Sequence, residues 1–119
     1  MRVRFLGVGL IVAIWLAGAA APISAQWAKE FTAFTATVAE GANIWLPSAI
    51  AVKNGDQIKL TLRNVSKAEH GFSIDELGIK ELIPPGETKE VTLKPTAAGA
   101  LRYYCQLHKG HVGGQLLVQ

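Results

Sequence analysis

The chain has 119 residues, which is the length of one small domain, and its single cysteine excludes an internal disulfide. Of the 12 basic side chains, Arg2 and Arg4 lie in the N-terminal segment, and removing them leaves 10 basic against 9 acidic side chains, a formal charge of +1. A nucleic-acid-binding surface is therefore not predicted.

Residues 1–25 are predicted to form a secretory signal peptide. The two arginines precede an apolar run over residues 5–21, and small residues follow up to Ala25. Cleavage after Ala25 would leave residues 26–119 as one domain, periplasmic or secreted, with no membrane segment. The alternative is an uncleaved membrane anchor, but the run is short for a span of about 20 residues.

Short β-type segments separated by turn signals follow residue 26, which is typical of an all-β domain. Strands are expected within residues 31–38, 44–46, 50–52, 58–63, 72–75, 88–93, 101–105 and 116–118. Turns are expected at 53–56 and 84–87, and a turn of helix near 76–80. Alternation at 58–63 and at 72–75 predicts strands with one wet face. The predicted fold is a Greek-key β-sandwich of seven to eight strands with antiparallel pairing.

A metal site is indicated by the only thiol and the only three imidazoles of the chain. Cys105 is followed at three-residue steps by His108 and His111, and His70 comes from a distant turn. One thiolate with two or three imidazoles is a copper electron-transfer set. The predicted ligands of one copper ion, cycling between Cu(I) and Cu(II), are His70, Cys105, His108 and His111.

Other functions remain open at this point. Three imidazoles and a thiolate also suit tetrahedral zinc, and the cysteine alone would more simply be an inert core residue. A copper-storage or copper-delivery protein usually has exposed methionine- or histidine-rich tracts, and the sequence has none. An enzyme or a small-molecule binder is ranked lower, because only Glu69 offers an acid or base near the site, and no catalytic residue is assigned. The expected partners are redox proteins; the sequence does not define the oligomeric state.

The loop Cys105-x-x-His108 with a further ligand resembles the cupredoxins. The strings GFSID at 71–75, PGETK at 85–89 and CQLH at 105–108 are similar to the nitrosocyanin-like red copper proteins of that family. The resemblance implies a cupredoxin-like sandwich and a copper cofactor, and its nitrosocyanin-like branch implies a copper that binds nitric oxide or another small molecule. This chain departs from those proteins in two ways: they carry a glutamate ligand where it has His70, and their two loop histidines are further apart. Glu69 is only a weak candidate for a substitute ligand.

The resemblance also implies an axial ligand after His108, which is methionine in most cupredoxins. The only methionine here is Met1, inside the predicted signal peptide, so His111 occupies that place. Imidazole favours Cu(II) over Cu(I) more than a thioether does, and we therefore expect a red or green protein of low reduction potential.

Overall fold

A computed structural model describes residues 29–119, which form nine β-strands and two short 3-10 turns. The strands are β1 (Lys29–Thr37), β2 (Asn43–Leu46), β3 (Ala49–Val52), β4 (Ile58–Asn64), β5 (His70–Ile74), β6 (Ile79–Ile83), β7 (Thr88–Leu93), β8 (Gly99–Tyr103) and β9 (Gly114–Val118). The predicted signal peptide, residues 1–25, and the predicted domain start at residue 26 lie outside this range. Among residues 29–119, no helix has the length and apolar character to cross a membrane.

Two sheets pack into a sandwich. One has the strand order β2-β1-β4-β7 and the other β3-β9-β8. The β5–β6 hairpin extends the second sheet, because Ser73 and Tyr104 exchange both backbone hydrogen bonds, at 2.8 and 3.1 Å. The predicted all-β sandwich is confirmed, with nine strands in the described range instead of seven or eight.

The sequence analysis predicted antiparallel pairing, and this prediction is only partly correct. β1 runs parallel to β4, and β3 runs parallel to β9. Alternation along one strand reports which of its faces is buried and carries no information on the direction of its neighbour. These two parallel pairs were therefore not visible in the sequence.

The core is built from the inward positions of the strands. On β4, Ile58, Leu60 and Leu62 are buried, as their alternation predicted. An aromatic layer follows: the ring of Trp45 meets that of Phe72 edge-on at 5.1 Å, and Phe72 stacks on Tyr103 at 5.3 Å between centroids. Such aromatic pairs stabilise the fold beyond the burial of their area. This layer lies under the start of β5, where the Trp45 indole N–H donates to the Gly71 carbonyl.

The predicted turns are formed. The Asp56 N–H donates to the Lys53 carbonyl at 3.0 Å, and the Glu87 N–H donates to the Pro84 carbonyl at 3.1 Å. Gly55 has a φ of 84°, a value that glycine adopts without the penalty a Cβ brings. The turn of helix expected near 76–80 is the 3-10 turn Asp75–Leu77.

β5 departs from its predicted pattern, because every residue from His70 to Ile74 is buried. The loop that follows β8 covers the face that was expected to be wet, and the Gln106 side chain lies directly on Gly71 and Ser73. A strand covered on both faces loses its alternation.

Candidate metal centre

The four predicted ligands meet at one end of the sandwich. His70 begins β5, Cys105 lies two residues after β8, and the two other histidines lie in the loop before β9. The Ser73–Tyr104 bridge sets β5 beside the end of β8, and so brings His70 to this loop. The sequence alone could not show that this bridge brings His70 next to Cys105.

Donor atoms of three of the four predicted ligands are close enough to share one ion, and His108 lies beside them. One donor atom each of His70, Cys105 and His111 lie within 4.8 Å of one another. His108 joins them through its Nδ1, 3.5 Å from the Cys105 Sγ, and its ring centroid is 5.0 Å from that of His70. All four predicted residues are thus brought together, whereas Glu69 is exposed.

His70 provides the test of whether this site fits a metal. Its side chain is 0% exposed, and neither ring nitrogen has a hydrogen-bond partner among the described residues. Leaving a buried polar group without a partner costs free energy, and native proteins seldom do so. Burial, and then the neighbouring His111 and His108, lowers the pKa of His70 to about 4, so the imidazole is neutral at physiological pH. A neutral buried imidazole beside a thiol has the properties of a metal ligand.

Cys105 is buried and has a hydrogen-bond donor aimed at its sulfur. The Gly71 N–H donates to Sγ at 3.1 Å. A donor at this position stabilises the negative thiolate, which is the metal-binding form of cysteine. Glycine at position 71 leaves room for the amide group of Gln106, which a Cβ there would displace.

Gln106 holds the cysteine loop against the β5–β6 hairpin. Its Oε1 accepts a hydrogen bond from the Ser73 hydroxyl at 2.8 Å, and its Nε2 donates to the Glu81 carbonyl at 2.9 Å. Both ends of the amide are engaged, so the residue next to the thiolate is fixed to a second element. Sequence reasoning gave Gln106 no role, because glutamine in a loop has no distinguishing pattern.

Asn64 fixes the turn that leads to His70. Its Nδ2 donates to the carbonyls of Ala68, at 2.7 Å, and Ile83, at 2.9 Å. Its Oδ1 accepts from the backbone N–H of Ser66 at 2.9 Å and from the Ser66 hydroxyl at 2.7 Å. The buried amide therefore joins the segment between β4 and β5 to the end of β6.

His111 differs from His70 in that the protein engages both of its ring nitrogens. Nε2 lies 2.8 Å from the Thr35 hydroxyl oxygen, and Nδ1 lies 3.1 Å from the Val112 carbonyl oxygen. Burial lowers the pKa of His111, although the Val112 contact opposes this. A metal at one nitrogen replaces one of these contacts, and the other then orients the ring. Thr35, fully buried on β1, was missed because nothing marks it out among the residues of that strand.

His108 is the one exposed member of the group. Leu107, 44% exposed, and Val112, 50% exposed, are apolar residues of the same loop. The site therefore has a solvent-accessible imidazole, while its sulfur and its two other imidazoles are enclosed.

Comparison with known proteins agrees with this geometry. The model of the cupredoxin-like domain family matches residues 8–118. The chain belongs to the cupredoxin-like family. A cupredoxin-like fold with a buried thiol and clustered imidazoles supports copper as the cofactor.

Solved structures share the fold. The metal-binding domain of a Cu(I)-exporting P-type ATPase from Streptococcus pneumoniae, determined with Cu(I), superposes with a TM-score of 0.62 and 20% identity, covering 76% of this chain and 84% of that one. A copper-containing nitrite reductase from Thermus scotoductus gives a TM-score of 0.57 and 23% identity over 76% of this chain. The match covers only 27% of the reductase chain. The resemblance to nitrosocyanin-like proteins within the family stays a prediction.

Proposed function

We propose that this protein is a periplasmic electron carrier with one copper ion bound by His70, Cys105, His108 and His111. The observation that carries the proposal is His70, a buried imidazole beside the only thiol, with no hydrogen-bond partner for either ring nitrogen within residues 29–119. Copper in such a site supplies a one-electron couple between Cu(I) and Cu(II).

The surrounding residues favour electron transfer by limiting rearrangement. A carrier transfers electrons readily when its ligands keep their positions in both oxidation states. Gln106 fixes the cysteine loop, Asn64 fixes the turn before His70, and Thr35 contacts His111. The Gly71 N–H compensates the charge on the sulfur. These contacts join the ligands to a packed sandwich and leave them little freedom to move.

The periplasmic location is proposed from the N-terminal sequence. The signal-like segment supports export to the periplasm. A free thiol is at risk in an oxidising compartment, but Cys105 is 5% exposed and is proposed to be bound to metal. Export and a lone cysteine are thus compatible.

A redox protein is the proposed partner, and it docks over His108. This imidazole joins the enclosed site to the surface, and Leu107 and Val112 provide apolar area in the same loop. Electrons would pass through the exposed edge of the His108 ring without exposing the sulfur to solvent.

The proposal is tested by spectroscopy of the purified, copper-loaded full chain. We expect strong visible absorption from the Cu(II)–thiolate pair, which disappears with ascorbate and returns with an oxidant. Cys105→Ser should abolish the band, because the chain has no second thiol. Preferential zinc binding with no visible band, or a colour that Cys105→Ser retains, would contradict the assignment.

A further inference from the structure

A recess of about 250 Å³ reaches the proposed copper site from the surface. The buried Cys105 and His111 line it together with the exposed His108, so its inner part is made of the proposed ligands. Its volume is several times the roughly 30 Å³ that one water molecule occupies. A small ligand therefore has room beside the metal donors.

The outer part of the recess is cationic. Arg102 and Lys109 line the recess, and none of the acidic residues within 29–119 lines it. Within residues 29–119, neither cation has a carboxylate partner in a salt bridge. Two charges without partners at one opening attract anions.

The Arg102 side chain lies against the ring of Tyr104. Its guanidinium carbon lies 4.8 Å from the centroid of the Tyr104 ring. The Tyr104 hydroxyl donates to the Asp75 carboxylate at 2.7 Å, which fixes the ring and directs that carboxylate to the hydroxyl. A guanidinium on an aromatic face keeps its N–H edges free for a planar partner with two oxygens.

We propose that this recess binds a small planar oxyanion between Arg102 and Lys109, next to the copper site. The inference extends the proposed function, since it names a ligand for the same centre and rests on copper being bound there. A planar, singly charged anion matches the guanidinium fork, whereas a large ligand does not match the volume. The electron carrier would thus have an anion-binding recess beside its copper, where a bound anion alters the properties of the metal or binds to it.

Titration with nitrite and, separately, with formate tests the proposal on the copper-loaded full chain in the Cu(II) state. Calorimetry at constant ionic strength measures the affinity, and electron paramagnetic resonance reports whether the anion perturbs the copper. We expect saturable binding and a changed copper spectrum. Arg102→Gln and Lys109→Gln should each weaken binding about tenfold, as expected for the loss of a charge-assisted contact.

Lys94→Gln is the matched control, because it removes the same charge just beyond β7. There β7 pairs with the start of β4, whereas the site lies near the other end of β4. It should bind both anions like the unmodified protein. No saturable binding of either anion, or equal losses in the control and in Arg102→Gln, would overturn the proposal. If the Cu(II)–thiolate band is present before anion is added, such a result concerns the recess alone; if the band is absent, the proposed electron carrier itself fails.

Discussion

The surroundings of each ligand residue affect the properties of this centre as much as the identity of the ligands does. His70 and His111 are both buried imidazoles, yet one has no hydrogen-bond partner among the described residues and the other has two. His70 is thus suited to a metal by its surroundings, whereas metal binding by His111 competes with contacts that the protein provides. The clustering of the four proposed ligand residues was predictable from the sequence because cysteine and histidine are rare in it. This difference between the two imidazoles was not, because it depends on which atoms surround each ring.

The substitution His111→Met tests the axial role of this residue. A thioether donates more weakly than imidazole and stabilises Cu(I), so the reduction potential should rise and the colour should shift toward blue. Voltammetry and visible spectroscopy of the copper-loaded variant provide the measurements. An unchanged potential and spectrum would show that His111 is not a ligand.

Gly71→Ala tests the hydrogen bond to the sulfur. The added methyl group overlaps the end of the Gln106 side chain. That side chain must give up its two hydrogen bonds to make room, which costs about 1–3 kcal/mol of unfolding free energy. Displacement of the N–H should also lower the potential, since the donor favours the more negative, reduced site. Denaturant titration and voltammetry measure the two effects.

The double variant Gly71→Ala/Gln106→Ala serves as the control for that clash. Removing the glutamine side chain makes room for the methyl group, so the two substitutions should be non-additive in chemical denaturation. Simple additivity would mean that the overlap between positions 71 and 106 is not the cause of the destabilisation.

At the scale of elements, local sequence and long-range contact contribute differently. The strand Thr88–Leu93 and both turns were predictable, because alternation and glycine-containing turns are local signals. The complete burial of β5 was not, since it depends on a loop more than 30 residues away along the chain. The parallel partners of β1 and β3 were likewise set by tertiary contacts.

The Thr35 hydroxyl connects β1 to His111, in the loop between β8 and β9. Removing this hydroxyl tests the connection. Thr35→Val keeps the shape but loses the hydroxyl next to the His111 Nε2, so the ring loses one orienting contact. We expect a changed electron paramagnetic resonance spectrum and potential, with rescue by Thr35→Ser. If valine reproduces both properties of the unmodified protein, Thr35 is only a core residue.

For the whole molecule, acid should destabilise the metal-free fold through its histidines. The pKa of His70 is about 4 in the fold, against 6.5 for an unperturbed histidine, so the unfolded chain binds more protons between these values. Unfolding free energy should therefore fall as the pH is lowered from about 6.5 to about 4. Denaturant titrations across this range measure it.

His70→Leu provides the comparison for that pH dependence. The variant cannot take up the proton at position 70, so its unfolding free energy should fall less over the same range. His111, whose pKa is also lowered, leaves part of the slope in place. An identical slope in both proteins would contradict the buried neutral state of His70.

Three of the four proposed ligands, Cys105, His108 and His111, lie within one short loop, and only His70 requires the assembled sandwich. Closing such a short loop costs little entropy, so the unfolded chain keeps part of the chelate. Affinity for the unfolded state subtracts from the stabilisation that a ligand gives to the native state. Copper should therefore raise the melting temperature by less than its native affinity implies, and a newly synthesised chain can capture the ion before it folds.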